Sequence, residues 1–377
     1  MFKNIKILVI LITAMNLRLA VTAVTPLFSA IQQSLHVAST FTALLVTLPL
    51  ICFAIGAILT PRLIRTFGIV PLLWGTNGLL LVATLLRPAT TATLLAGTVL
   101  IGLAIAVLNV LIPTMIAQTT TTAVTRLTSA YAVTMNVVAA LGTAVAIPLA
   151  ASWGWQLVLR SFALPAGLAL LVLARLPRQS FPRPVASNST QQSSLWATLR
   201  HDAYARRLTL FMGLQSLIFY SLTAWLPTIF RALGASTTLA GNLLAVFQLV
   251  GIPAALVLNL LTNQRRLLWG LLGGYALGGI SLLGSGAGWW LAAILLGFTS
   301  SLIFTLALNL IATSSAHVTL IANRSAVAQS LGYLLAAVGP VLLGRLHDSW
   351  GSWLPVSLVL AGLVLLTFVM GLRLARH

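Results

Sequence analysis

Apolar runs close to twenty residues long recur from one end of this 377-residue chain to the other, separated by short gaps that hold most of its arginine and lysine. An α-helix rises 1.5 Å per residue, so about twenty apolar residues cross about 30 Å of hydrocarbon. We count twelve such runs, starting near residues 7, 38, 69, 92, 129, 155, 208, 236, 267, 289, 325 and 352. With 59% of residues hydrophobic and 6% charged, the chain is too apolar for ordinary soluble packing. The runs predict an all-α membrane protein with twelve transmembrane helices. The formal charge of +19 does not point to nucleic acid, because the cations lie between apolar runs and not on one basic face. Lys3 and Lys6 ahead of an apolar run resemble a signal peptide, but Arg18 interrupts it and eleven spans follow, so it reads as a retained first helix. Cys52 lies within an apolar run and is the single cysteine, so it says nothing of redox compartment.

Cytoplasmic loops of membrane proteins are enriched in arginine and lysine. With both termini inside, sixteen of these residues, from Lys3 to Arg376, fall on the cytoplasmic side and three, Arg87, Arg231 and Arg345, fall outside. A multi-pass protein of the cell membrane with cytoplasmic termini is therefore expected. Pro177 to Ala203 is rich in Pro, Ser, Gln and Asn, the composition of a linker. It divides the chain into an N-terminal bundle, 1–176, a cytoplasmic linker, 177–203, and a C-terminal bundle, 204–377. The sequon Asn188-Ser189-Thr190 would stay unmodified on that face. Leu195 to Leu208 reads as a short amphipathic helix, with Arg200, Arg206 and Arg207 near lipid phosphates.

The halves are related. Thr22-Ala23-Val24-Thr25-Pro26 answers Thr223-Ala224-Trp225-Leu226-Pro227, and Ser152-Trp153-Gly154 answers Ser349-Trp350-Gly351. Ala139, Ala140 and Gly142 likewise answer Ala336, Ala337 and Gly339, so the fifth span corresponds to the eleventh. Arg62 and Arg65 after span 2 match Arg265 and Arg266 after span 8, which puts both halves into the membrane in the same direction. Two six-helix halves in parallel repeat are the major facilitator architecture, in which substrate binds between the halves near the midplane.

The first span carries Arg18 about midway along an otherwise apolar helix. A charge there costs roughly 2.5 to 3.5 kcal/mol even on the lenient insertion scale, so it faces a bundle interior or a watery cavity. The chain has two acidic residues, Asp202 and Asp348, and neither lies in an apolar core. An anionic or strongly dipolar ligand is one source of compensation for Arg18; snorkelling, or a structural clamp on backbone carbonyls, is the other reading. Arg18, Thr22, Thr25 and Ser29 share one helical stripe.

Other polar residues within spans are Asn109, Asn136, Gln215 with Ser216 and Tyr220, Gln248, Thr305, Asn309, Gln329 and Tyr333. Amides and phenols read a small polar solute without fixing its charge, although the same groups also bond helices together in lipid. Asn136 and Tyr333 occupy equivalent positions in the two repeats. The substrate-binding candidates are Arg18, Thr22, Asn109, Asn136, Gln215, Tyr220, Trp225, Gln248, Gln329 and Tyr333. The five histidines fall at span ends or in loops, which leaves no evident proton relay.

Asn16-Leu17-Arg18 with Pro26, Asn109-Val110 with Pro113, Gln215-Ser216 with Tyr220, Trp225-Leu226-Pro227, and the run from Ala328-Gln329-Ser330 through Gly332-Tyr333 to Gly339-Pro340 and Leu346-His347-Asp348 resemble the cyanate and 2-nitroimidazole permeases of the major facilitator superfamily. The resemblance covers nearly the whole chain. It implies transport of a small, often anionic or nitro-bearing solute, with Arg18, Gln329 and Tyr333 at positions the family uses. The superfamily's loop aspartate after span 2 is missing around Thr60-Pro61-Arg62, and Ala117 and Gln118 stand where a basic residue is expected after Pro113.

The expected function is secondary transport of a small polar, anionic solute by alternating access, with lipid and that solute as partners and a monomer as the oligomeric state. The alternative is an efflux pump for neutral nitroaromatic or drug-like compounds, stacking on Tyr220, Trp225 and Tyr333. No cofactor, catalytic residue or metal site is expected: a metalloprotease motif needs glutamate, of which there is none.

Overall fold

The computed structural model describes residues 2–119, 124–177, 180–181, 199–257, 263–312, 314 and 318–375. The first span is a broken rod: α1 (Phe2–Ala14), α2 (Asn16–Thr22), a 3-10 turn at Thr25–Leu27, and α3 (Phe28–Leu35). There follow α4 (Ser39–Phe67), α5 (Ile69–Leu86), α6 (Thr91–Thr119), α7 (Val124–Ser161) and α8 (Leu164–Leu173). The second half runs α9 (Ala203–Ala232), α10 (Thr237–Leu249), α11 (Gly251–Val257) and α12 (Gln264–Ser281). It closes with α13 (Ala287–Ala312), α14 (Val318–Trp350) and α15 (Leu354–Leu374).

Ten helical stretches among the described residues are long and apolar enough to cross a membrane. One of them, Val133–Leu173, is two crossings joined at Gly154, whose φ of 76° breaks the helix. The glycine-rich α12, 18 residues long, lies outside the ten; counted with them and with the two crossings of Val133–Leu173, it gives the twelve expected. Large apolar side chains stay exposed along the outer helices, as lipid-facing surface requires: Leu171 is 69% exposed, Leu358 65% and Ile280 63%.

Two compact units emerge, one of Met1–Val37 and Leu48–Asn188, the other of Ala38–Thr47 and Ser189–His377. The start of α4 belongs to the second: Thr47 Oγ1 donates to the Ala337 carbonyl at 3.1 Å, Thr40 Oγ1 to Asp348 Oδ2 at 2.7 Å, and the Ser39 hydroxyl to the same carboxylate. Two apolar clusters lie along α9, one holding Leu208, Phe211 and Met212 and the other Leu222, Leu226 and Phe230.

Polar caps set the helix starts. Asp202 accepts from the Ala205 amide, Ser236 from Leu239 and Asn263 from Arg266, each satisfying an amide the first turn leaves without a partner. The Asp202 cap divides the amphipathic stretch expected at Leu195–Leu208. Residues 199–201 are helical ahead of the cap, residues 195–198 lie outside the described residues, and Arg206 donates back to the Leu199 and Arg200 carbonyls at 2.8 and 3.0 Å. Most of the linker and the sequon at Asn188 lie outside the described residues.

Candidate functional site

Proline shapes the first span. Pro26 has no amide proton, so the Thr22 carbonyl loses its regular donor, and Thr25 Oγ1 takes that carbonyl at 3.0 Å. The last regular bond of α2 runs from Ala23 N to the Leu19 carbonyl at 3.0 Å, after which the chain tightens into the 3-10 turn. Arg18 is thus held in a two-turn helix that ends just beyond it.

The half-buried Arg18 Nη1 donates to Asn136 Oδ1 on α7 at 2.9 Å. Hydrogen bonds to a charged group contribute about 1.5 to 3 kcal/mol, enough to fix which way the guanidinium points. Asn136 supplies a dipole and no charge, so the pair keeps its positive sign. Thr22 is buried and donates back to the Arg18 carbonyl at 3.1 Å. Tyr131, on α7 with Asn136, is close enough to interact electrostatically with Arg18; as a tyrosine near the start of a span it gave no signal in the sequence.

Arg87 is the larger surprise. Sequence places it in the outer turn between α5 and α6, yet it is 1% exposed. The turn is fixed by a reciprocal cap: Thr93 N donates to Thr90 Oγ1 at 3.1 Å and Thr90 N to Thr93 Oγ1 at 2.8 Å. Gly97 on α6 lets the Arg87 backbone close in, for a Cβ there would stand 3.0 Å from Arg87 Cβ. The side chain then reaches the first span, where Nη1 donates to the Ala20 carbonyl at 2.9 Å. Nε and Nη2 are buried without a hydrogen-bond partner among the described residues.

In the second unit Tyr220 and Tyr333 meet edge to face, ring centroids 6.5 Å apart. Gln329, one turn before Tyr333, donates to Ser325 Oγ at 2.8 Å. Gln215 is fully buried and donates to the Met212 carbonyl and to Ser216 Oγ at 3.0 and 2.7 Å, its Oε1 having no partner among the described residues. Trp225 is 1% exposed, with its indole N–H on the Pro340 carbonyl at 2.9 Å and its ring tilted on Trp353. That makes it part of the α9–α14 contact. Gln248 is buried at the end of α10, and Asn109 is exposed on α6. The structure therefore pairs Arg18 with Asn136 and Tyr220 with Tyr333, and sets Thr22, Gln215 and Trp225 into the walls of their own units. A cleft of about 830 Å³ lined by Ile218, Leu222, Tyr275 and Trp353 is almost wholly apolar and excludes Gln329 and Tyr333.

Twelve membrane helices in two repeats, with a cation and amides set inside the spans, define a polytopic helical carrier. A family model described as Major Facilitator Superfamily matches residues 10–332, and the chain belongs to that superfamily. It is 37% identical over 369 residues to the uncharacterized transporter YycB of Bacillus subtilis (strain 168), covering 95% of this chain and 90% of that one. It is 35% identical over 375 residues to the 2-nitroimidazole transporter of Escherichia coli (strain K12), covering 96% and 92%. Among solved structures, a mutant of the nucleoside transporter NupG superimposes with a TM-score of 0.80 at 12% identity, over 98% of this chain and 99% of that one. A D-xylose-proton symporter does so with a TM-score of 0.77 at 16% identity, over 100% and 97%. These last two share the fold. The protein is a membrane transporter.

Proposed function

We propose that the chain carries a small polar anion across the cell membrane by alternating access, with both termini in the cytoplasm and no catalytic step. The observation that carries this reading is the Arg18–Asn136 pair: a guanidinium aimed by a neutral amide from another helix offers a fixed positive pole within the spans. Ionisable groups at that depth are functional by default. A solute that binds one conformation better than another shifts the balance between them, which is what couples binding to a change of face. The amide of Gln329 and the phenol of Tyr333 are proposed as further contacts, with Tyr220 behind them; Thr22, Gln215, Gln248 and Trp225 act through packing. Asn109 is proposed as a solute contact on α6.

A second reading, transport of a neutral nitro compound, draws support from the relative named a 2-nitroimidazole transporter and from the aromatic edge that Tyr220 and Tyr333 present. The two separate in a thermal-shift titration of the purified protein. A ligand at 100 times its dissociation constant stabilises the folded state by about 2.7 kcal/mol. Cyanate, nitrate and formate are expected to raise the melting temperature in wild type and not in Arg18→Gln. Stabilisation by 2-nitroimidazole alone, unchanged in Arg18→Gln, would favour the neutral solute.

A further inference from the structure

We propose that Arg87 is a positioning residue for Arg18: by holding the Ala20 carbonyl it fixes the break in the first span and so keeps the Arg18 guanidinium against Asn136. The inference builds on the reading of Arg18 as the solute's positive pole. Three observations carry it. The carbonyl that Arg87 takes belongs to the last turns of α2, past which the regular helical bonds stop at Ala23 N to Leu19 O. Left alone, that carbonyl would need water, which would soften the turn that carries Thr22 and Thr25. Ala20 is also two residues from Arg18 within one short helix, so fixing one end of α2 fixes the other.

The third observation is what the burial sacrifices. An arginine 1% exposed, with two of its three nitrogens lacking a partner among the described residues, is a poor device for stability alone, since an apolar side chain of similar size is commonly as good or better there. A charge-bearing donor at that spot is useful for the geometry it imposes. The rest of the construction serves the same end: the Thr90–Thr93 cap fixes the turn, and Gly97 admits the Arg87 backbone against α6.

The test is amide hydrogen exchange by mass spectrometry on the full chain in lipid nanodiscs, comparing wild type, Arg87→Gln and Arg87→Lys. In Arg87→Gln, peptides covering residues 16–30 are expected to exchange about tenfold faster, with peptides from α6 unchanged. Arg87→Lys keeps a charged donor and is expected to restore slow exchange. Should Arg87→Gln fail to fold, Gly97→Ala displaces the same arginine and is expected to loosen the same peptides. Unchanged exchange over 16–30, an even rise throughout the first unit, or no rescue by lysine overturns the proposal. Counterflow with radiolabelled cyanate as the probe supplies the second arm. Arg87→Gln is expected to raise the half-saturating concentration about tenfold while the maximal rate stays within about twofold; an unaltered half-saturation overturns the link to Arg18. A wild type that does not carry this probe bears on the solute alone, and exchange then decides the role of Arg87. Failure of the Arg18 reading itself shows separately, as flux retained in Arg18→Gln.

Discussion

The guanidinium of Arg18 and the amide oxygen of Asn136 lie 2.9 Å apart on two helices of one unit, and the sign of that pair is positive because the partner is an amide. Asn136→Asp changes one atom and reverses this. A carboxylate at that distance would neutralise the cation and compete with any anionic solute, so the variant is expected to fold and to bind a small anion at least about tenfold more weakly. Thermal-shift titration with cyanate or nitrate checks it, and Asn136→Gln, which keeps the amide, serves as the control.

Trp225 separates packing from recognition. Trp225→Phe keeps most of the ring contact and removes the N–H that serves the Pro340 carbonyl. A loss of about 1 kcal/mol in stability is expected, with unchanged solute affinity. A fall in affinity without a fall in melting temperature would return Trp225 to the solute-binding set.

Gly154 and Gly351, in equivalent positions of the two repeats, share a left-handed backbone, φ 76° and 62°. Each lets a span end and the next begin in a tight turn, where a Cβ is strained whatever space surrounds it. Alanine at either glycine is expected to cost about 1 to 2 kcal/mol, read as a lower melting temperature of similar size in both variants. A large effect at one site alone would argue against the shared turn.

Asp202 offers a pH test. Burial alone would raise its carboxyl, but hydrogen bonds from Arg324 and the Ala205 amide outweigh that and hold it below the ordinary carboxylate range. A depressed folded value means its contribution is present above the unfolded value of about 3.9 and disappears as pH falls through the folded one. The chain has only two side-chain carboxyls, so the acid limb of a stability profile should be unusually simple. Melting temperature is expected to drop below about pH 4 in wild type, and Asp202→Asn is expected to be less stable at neutral pH and flatter through that limb.

Helices and their number could be read from the chain because lipid imposes one rule on every span: an apolar run near twenty residues must satisfy its own backbone. The junction at Gly154 was legible for the same reason, as a repeat of Gly351. Arg18 stood out because a charge amid apolar neighbours needs no structure to be noticed. Its contact with Asn136, 118 residues away, did not, since helical phase gives a direction and not a partner. In the sequence Arg87 stands as an outer-loop cation, for nothing local distinguishes a guanidinium that reaches outward from one that turns in. Its burial depends on the Gly97 approach and on the Ala20 carbonyl, left over where the regular bonds of α2 stop at Ala23 N to Leu19 O, 67 residues from Arg87 along the chain. The sequence offers Trp225 as a stacking surface, because its buried bond to Pro340 is likewise a product of tertiary contact.

Counterflow in proteoliposomes bears most directly on the positive pole in the first span. Wild type, Arg18→Lys and Arg18→Gln, matched for amount and for monodispersity in detergent, are compared for saturable exchange of radiolabelled cyanate and 2-nitroimidazole. Saturable flux of the anion in wild type, partial flux in Arg18→Lys and loss of about 100-fold or more in Arg18→Gln is the expected result, the last corresponding to about 2.7 kcal/mol of lost interaction. Near-normal anion flux in Arg18→Gln would contradict it.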